Sequence, residues 1–204
     1  MSGEDPHTRT TRRELVSRGI ASVAAASVLT ATLETTAAAS METDAQLLAA
    51  TLAVEQLVLV AYHHVLASGA LEPRTKRIVR HLLGQELEHV SALGRELIRL
   101  GGRPPSRPTD LASVQKALAA HHVADSLTNL HSQHECLKLL VDVETVIEGA
   151  YYMAMSKLGD PRLIGMSAAI MACEAQHWTL LAGLQHHGDI SISVPYAFVQ
   201  GAVI

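Results

Sequence analysis

The chain has 204 residues, 48% of them hydrophobic and 18% charged, a balance that permits one compact core and excludes wholesale disorder. Aromatic residues make up only 3%, so that core must be built from Leu, Val, Ile, Ala and Met, which helices accept better than β-sandwiches do. A net charge of −4 with no basic block beyond the N-terminus argues against a nucleic-acid partner, and 12 His make metal chemistry the first function to consider.

The first segment reads as an address. Arg9, Arg12, Arg13 and Arg18 precede an uncharged, Ala-rich stretch from Gly19 to Leu33, and the small residues Ala37-Ala38-Ala39 come after it. A basic region, a short apolar run and an Ala-x-Ala end are the parts of a removable export signal, and cleavage is expected after Ala39. Thr11-Arg12-Arg13-Glu14-Leu15-Val16 resembles the twin-arginine signal, whose pathway exports folded proteins. An uncleaved amphipathic arm or a general secretory signal is the alternative. Residues 1–39 are therefore expected to be a twin-arginine-type signal peptide and 40–204 a single helical domain with a C-terminal tail. After the signal no further run is read as long enough to cross a bilayer, so no stable membrane insertion is expected once the signal is removed.

From Thr43 the pattern is helical. Leu48, Leu52, Glu55, Leu59, Tyr62 and Leu66 recur at three and four residues until Gly69. Pro73 can open a second helix, striped by Leu82, Glu86, His89, Leu93, Leu97 and Leu100 and closed by Gly101-Gly102. The Pro-rich residues 103–110 cannot be helix interior, and residues 111–122 can form a short helix within a long crossover. A third long helix is expected to start between Ser126 and Ser132, with Leu137, Val141, Glu144, Ile147, Tyr151 and Met155 on one face. Gly159-Asp160-Pro161 breaks it and caps a fourth, which carries Ile164, Met171, Glu174, His177, Leu181 and Leu184 and ends at Gly188. The fold expected is all-α, a four-helix bundle with a long crossover between helices 2 and 3.

The two halves repeat. Glu55 is followed seven residues later by Tyr62 and 31 residues later by Glu86-Leu87-Glu88-His89. Glu144 is followed seven residues later by Tyr151 and 30 residues later by Glu174-Ala175-Gln176-His177. Each Glu-x-x-His puts a carboxylate and an imidazole on one helix face, so Glu55, Glu86, His89, Glu144, Glu174 and His177 converge inside the bundle as candidate metal ligands. Four unpaired buried carboxylates would be strongly destabilising, and two divalent cations cancel their charge. Oxygen-rich ligation with two His suits iron, with manganese as the variant, better than the thiolate-rich sets of structural zinc. The competing reading is a plain helical bundle whose salt bridges imitate a site.

These six residues and two tyrosines resemble the ferritin-like di-iron carboxylate proteins, in the symmetric form of bacterioferritins and rubrerythrins, over residues 42–187. The resemblance implies that Glu55 and Glu144 bridge or chelate the metals and that Glu86, His89, Glu174 and His177 complete the two coordination spheres. It also implies that Tyr62 and Tyr151 hydrogen-bond to ligand carboxylates, although both positions also suit ordinary core tyrosines. The implied chemistry is ferrous oxidation or peroxide reduction, with dioxygen or peroxide as substrate and an external electron donor, since no Cys-x-x-Cys module is present. A non-catalytic envelope or stress protein with a structural metal pair is the rival reading, and homodimerisation is left open.

Several positions depart from the family pattern. Leu87 stands where bacterioferritin has its haem-ligating Met, so no haem is expected. Gln85 and Cys173 stand where an Asp supports each ligand His, and Ile147 stands where rubrerythrins carry an extra carboxylate. Val194-Pro195-Tyr196-Ala197-Phe198 resembles the ending of exported ferritin-like domain proteins. Glu88 and Glu148 read as solvated helix-face residues, His131 and His134 as a pair sharing a helical face, and Cys136 and Cys173 as free thiols too far apart to join.

Overall fold

The computed structural model describes residues 12–123 and 127–194, with side chains from Ser40 onward. The export signal expected over residues 1–39 therefore lies outside the residues whose side chains are described, as does the tail beyond Val194. Six helices succeed one another among the described residues: α1 (Arg12–Ala67), α2 (Pro73–Arg99), α3 (Leu111–Ala120), α4 (Gln133–Met155), α5 (Pro161–Gln185) and α6 (Ile190–Ser193). The chain divides into two units, Met1–Ser40 and Met41–Ile204, and the hydrophobic core seen among the described side chains lies in the second.

Helix ends fall where backbone chemistry puts them. Pro73 occupies the first turn of α2, where its missing N–H is not needed. Ser132 caps α4 with a complete capping box: its side chain accepts from Glu135 N, and Glu135 in turn accepts from Ser132 N at 2.8 Å. Asp160 caps α5 by accepting from Arg162 N at 2.9 Å. Gly69, with φ +76, ends the first hairpin's opening helix in the left-handed region that glycine adopts without strain. The crossover contains α3, as its sequence suggests, and is tied to α1 where Gln56 Nε2 donates to Pro105 O at 3.3 Å.

The interior is aliphatic, as the composition requires. Leu48, Leu52, Val58, Val79, Leu93, Leu97, Leu139, Leu140 and Ile147 are buried. On α5 the buried face is Leu163, Ser167, Ile170, Glu174, His177 and Leu181, while Ile164, Met171 and Leu184 flank it half-buried. The inward stripe is thus rotated by one residue in the first half of that helix relative to the one expected. Apolar residues surround α5 nearly evenly, so its inward face is marked better by its polar residues than by its apolar ones.

Two further expectations change. His131 precedes the cap of α4 rather than sharing its face with His134. And Ser40–Ala67 is long and apolar enough to cross a membrane by length and composition, although no such run is expected after the signal. Its apolar window is 61% buried within the protein, because a bundle helix that meets neighbours on several sides is apolar nearly all round.

Candidate metal centre

Glu55, Glu86, Glu144 and Glu174 are completely buried, one on each of α1, α2, α4 and α5, and His89 and His177 lie beside them. Their ligand-capable atoms form two groups. One contains Glu55, Glu86, His89 and Glu174, the other Glu86, Glu144, Glu174 and His177, with the atoms of each group within 4.8 Å of one another. Either group can hold a metal ion, and the two share Glu86 and Glu174. All six residues singled out in the sequence are therefore brought together. Glu86 and Glu174, from the Glu-x-x-His helices, belong to both groups, whereas Glu55 and Glu144 each belong to one. The reason is local: a Glu three residues before a His sits one turn away on the same face, so it reaches both its own imidazole and the opposite one.

The imidazoles turn Nδ1 inward. His89 Nδ1 lies 2.8 Å from Glu174 and 3.7 Å from Glu86. His177 Nδ1 lies 2.7 Å from Glu86, 3.0 Å from Glu174 and 3.7 Å from Glu144. On the other side of its ring, His177 Nε2 donates to Gln85 Oε1 at 2.8 Å, with Cys173 Sγ 3.4 Å away. Gln85 thus takes up the supporting task that an Asp performs in the family pattern.

The tyrosines cross between the halves. Tyr62, on α1, donates to Glu144 on α4, and Tyr151, on α4, donates to Glu55 on α1 at 2.5 Å. Each tyrosine fixes one oxygen of its glutamate and leaves the other, Oε2, buried without a hydrogen-bond partner. Both oxygens of Glu86 and of Glu174 and both inward Nδ1 atoms are likewise without a hydrogen bond, despite their short ion-pair distances. Buried polar atoms are seldom left this way, and a set of carboxylate oxygens and imidazole nitrogens all facing one point is the donor set of a hard or borderline divalent cation.

The electrostatics agree. Burial, followed by repulsion from Glu174 and Glu86, holds the Glu55 carboxyl well above its usual range, against the hydrogen bond from Tyr151. Burial, then Glu86 and Glu174, does the same for Glu144 against the pull of Tyr62. For the imidazoles, burial pushes downward but the adjoining carboxylates outweigh it, raising His89 to about 11 and His177 to about 10. Glu174, which burial pushes up, is brought down to about 2 by His177 and His89 on either side. Without metal, these shifts favour protonated histidines and oppose ionisation of Glu55 and Glu144, which lowers the net charge buried in the cluster.

Residues 43–187, which carry this geometry, match the family model described as Ferritin-like domain. The chain belongs to the ferritin-like family. No curated protein and no solved structure matches it.

One carboxylate near this ferritin-like site departs from its expected place. Glu148 is only 6% exposed rather than solvated, and burial together with the nearby charge of Glu174 pushes its carboxyl up to about 7. Its position four residues after Glu144 and three before Tyr151 puts it on the inward face, and that spacing is the signal by which the sequence could have disclosed it. Glu88 is exposed, as expected, and both cysteines are free.

Proposed function

We propose that this ferritin-like chain binds a pair of iron ions, with manganese as the variant, and uses them for redox chemistry with dioxygen or peroxide. The observation that carries the reading is the pair of four-residue groups sharing Glu86 and Glu174. In this reading Glu55 and His89 complete one position and Glu144 and His177 the other. A metal pair held there would pass electrons to dioxygen or peroxide as ferrous ions become ferric, and an external electron donor would restore it. The chain's own residues supply the rest. Tyr62 and Tyr151 anchor one oxygen each of Glu144 and Glu55 and leave the second oxygen available to a metal. Gln85 holds the Nε2 proton of His177, so that inward Nδ1 is the nitrogen that would give up its proton to a metal. Leu52, Leu93, Leu140 and Ile147, buried one helical turn along the chain from Glu55, His89 and Glu144, keep the core beside these residues apolar.

A second reading, a pair of ions that only staples the bundle, is favoured by one observation: the four carboxylates are completely buried, and His89 brings the cluster nearest to solvent. Turnover separates the two. Iron-loaded protein is expected to consume peroxide when supplied with an external reductant, or to oxidise added ferrous iron when supplied with dioxygen, over many cycles, and Glu86→Ala to lose that activity while keeping its helical circular dichroism. Loaded wild type without turnover would leave the structural reading. Export by the twin-arginine route fits a buried centre loaded before translocation, and we include it in the proposal.

A further inference from the structure

The two halves of the cluster repeat in sequence but are not supported alike. Gln85 and Cys173 are equivalent in the repeat, each standing immediately before the Glu of a Glu-x-x-His. Gln85 reaches across from α2 to His177 on α5, and by the same symmetry Cys173 would reach back to His89. Instead Cys173 Sγ lies 3.4 Å from His177, four residues along its own helix. His177 therefore has two neighbours on Nε2, while the contacts of His89 run through Nδ1 to Glu174 and Glu86. Exposure differs in the same sense, with 10% of the His89 side chain open to solvent and 2% of that of His177.

An amide oxygen only accepts, so its bond to Nε2 holds the proton there and fixes the ring plane of His177, with Nδ1 facing inward, before any metal arrives. His89 must settle its ring as it binds, which costs side-chain freedom. We propose that Gln85 makes the two metal positions unequal: the one formed by Glu86, Glu144, Glu174 and His177 fills first and retains its ion, and the one formed by Glu55, Glu86, Glu174 and His89 fills last and exchanges. The inference rests on the metal-pair reading and adds an order of loading to it. Gln85 is a positioning residue, since it acts through His177.

Cobalt(II) titration of the full-length protein without oxygen, monitored by calorimetry and by visible absorption, tests it. Wild type is expected to bind in two resolved steps. Gln85→Ala should weaken the tighter step by about 10- to 100-fold and leave the weaker one in place, and Gln85→Glu, which still accepts from Nε2, should restore it. His177→Ala should remove the tighter step and His89→Ala the weaker one. Two equal steps in wild type, equal weakening of both by Gln85→Ala, or loss of the tighter step in His89→Ala would overturn the inference while leaving the metal pair intact. Absence of any cobalt binding would instead remove the metal-pair reading on which it stands.

Discussion

At the scale of single residues, Glu148 is the position where the internal repeat is broken to most effect. Its counterpart four residues after Glu55 is Leu59, a core residue, so one half of the bundle buries a carboxyl where the other buries a methyl-rich side chain. With its folded pKa raised to about 7 against an ordinary 4.5, Glu148 binds its proton more tightly in the folded chain than in the unfolded one. Its favourable contribution is complete below pH 4.5 and is lost as pH rises through 7. Glu148→Gln is therefore expected to stabilise the metal-free protein at pH 8, by at most about 3 kcal/mol, and to change it little at pH 5. Thermal unfolding at the two pH values checks this, and an equal effect at both would contradict it. The tyrosines act in the opposite direction. Tyr151→Phe strands Glu55 without its hydrogen bond and should cost the metal-free protein about 1–3 kcal/mol, measurable by urea unfolding. That both tyrosines face ligand-type carboxylates is what the resemblance to the family implies. Which glutamate each meets is not legible in the sequence, because the pairing crosses between halves 82 and 96 residues apart.

At the scale of elements, the helix boundaries are legible because they depend on neighbours in sequence. Ser132 with Glu135, Pro73, and Asp160 with Pro161 each satisfy or remove backbone donors within one turn, and the structure begins its helices at those residues. Asp44 shows what such local reading omits. It is buried, and it accepts from Gly159 N at 2.8 Å and Asp160 N at 3.0 Å, tying α1 to the turn between α4 and α5. Nothing around Asp44 in the sequence announces partners more than 110 residues away. Asp44→Ala leaves two backbone donors of that turn without an acceptor and is expected to destabilise the protein by about 2 kcal/mol, while Asp44→Asn should recover part of the loss. Loss of stability below about 0.5 kcal/mol would show that water replaces the carboxylate. The inward stripe on α5 is hidden from sequence for a related reason: where apolar residues lie on every face, only contact with the neighbouring helices decides which face is innermost.

At the scale of the whole molecule, the repeat makes the bundle legible. Two Glu-to-Glu offsets of 31 and 30 residues, each spanning a helical hairpin, fix which helices pair and which residues face the axis. What the repeat hides is its own imperfection, since Gln85 against Cys173 and Glu148 against Leu59 become meaningful only once their neighbours in space are known. The charge balance of the centre carries a further consequence. In the metal-free state burial and mutual repulsion favour proton uptake by Glu55 and Glu144, and the adjoining carboxylates favour it at His89 and His177, so metal ions compete with protons for these groups. Metal uptake should release protons to the medium and weaken as pH falls, which titration in a weakly buffered indicator solution records. Uptake without proton release would contradict the electrostatic account. The central claim is the dinuclear centre itself, and metal content tests it most directly. Elemental analysis of freshly purified protein, beside a variant with both Glu86→Ala and His89→Ala, should find two iron or two manganese ions per chain in the first and loss of that pair in the second; native protein without bound metal, or with equal metal in the variant, would contradict it.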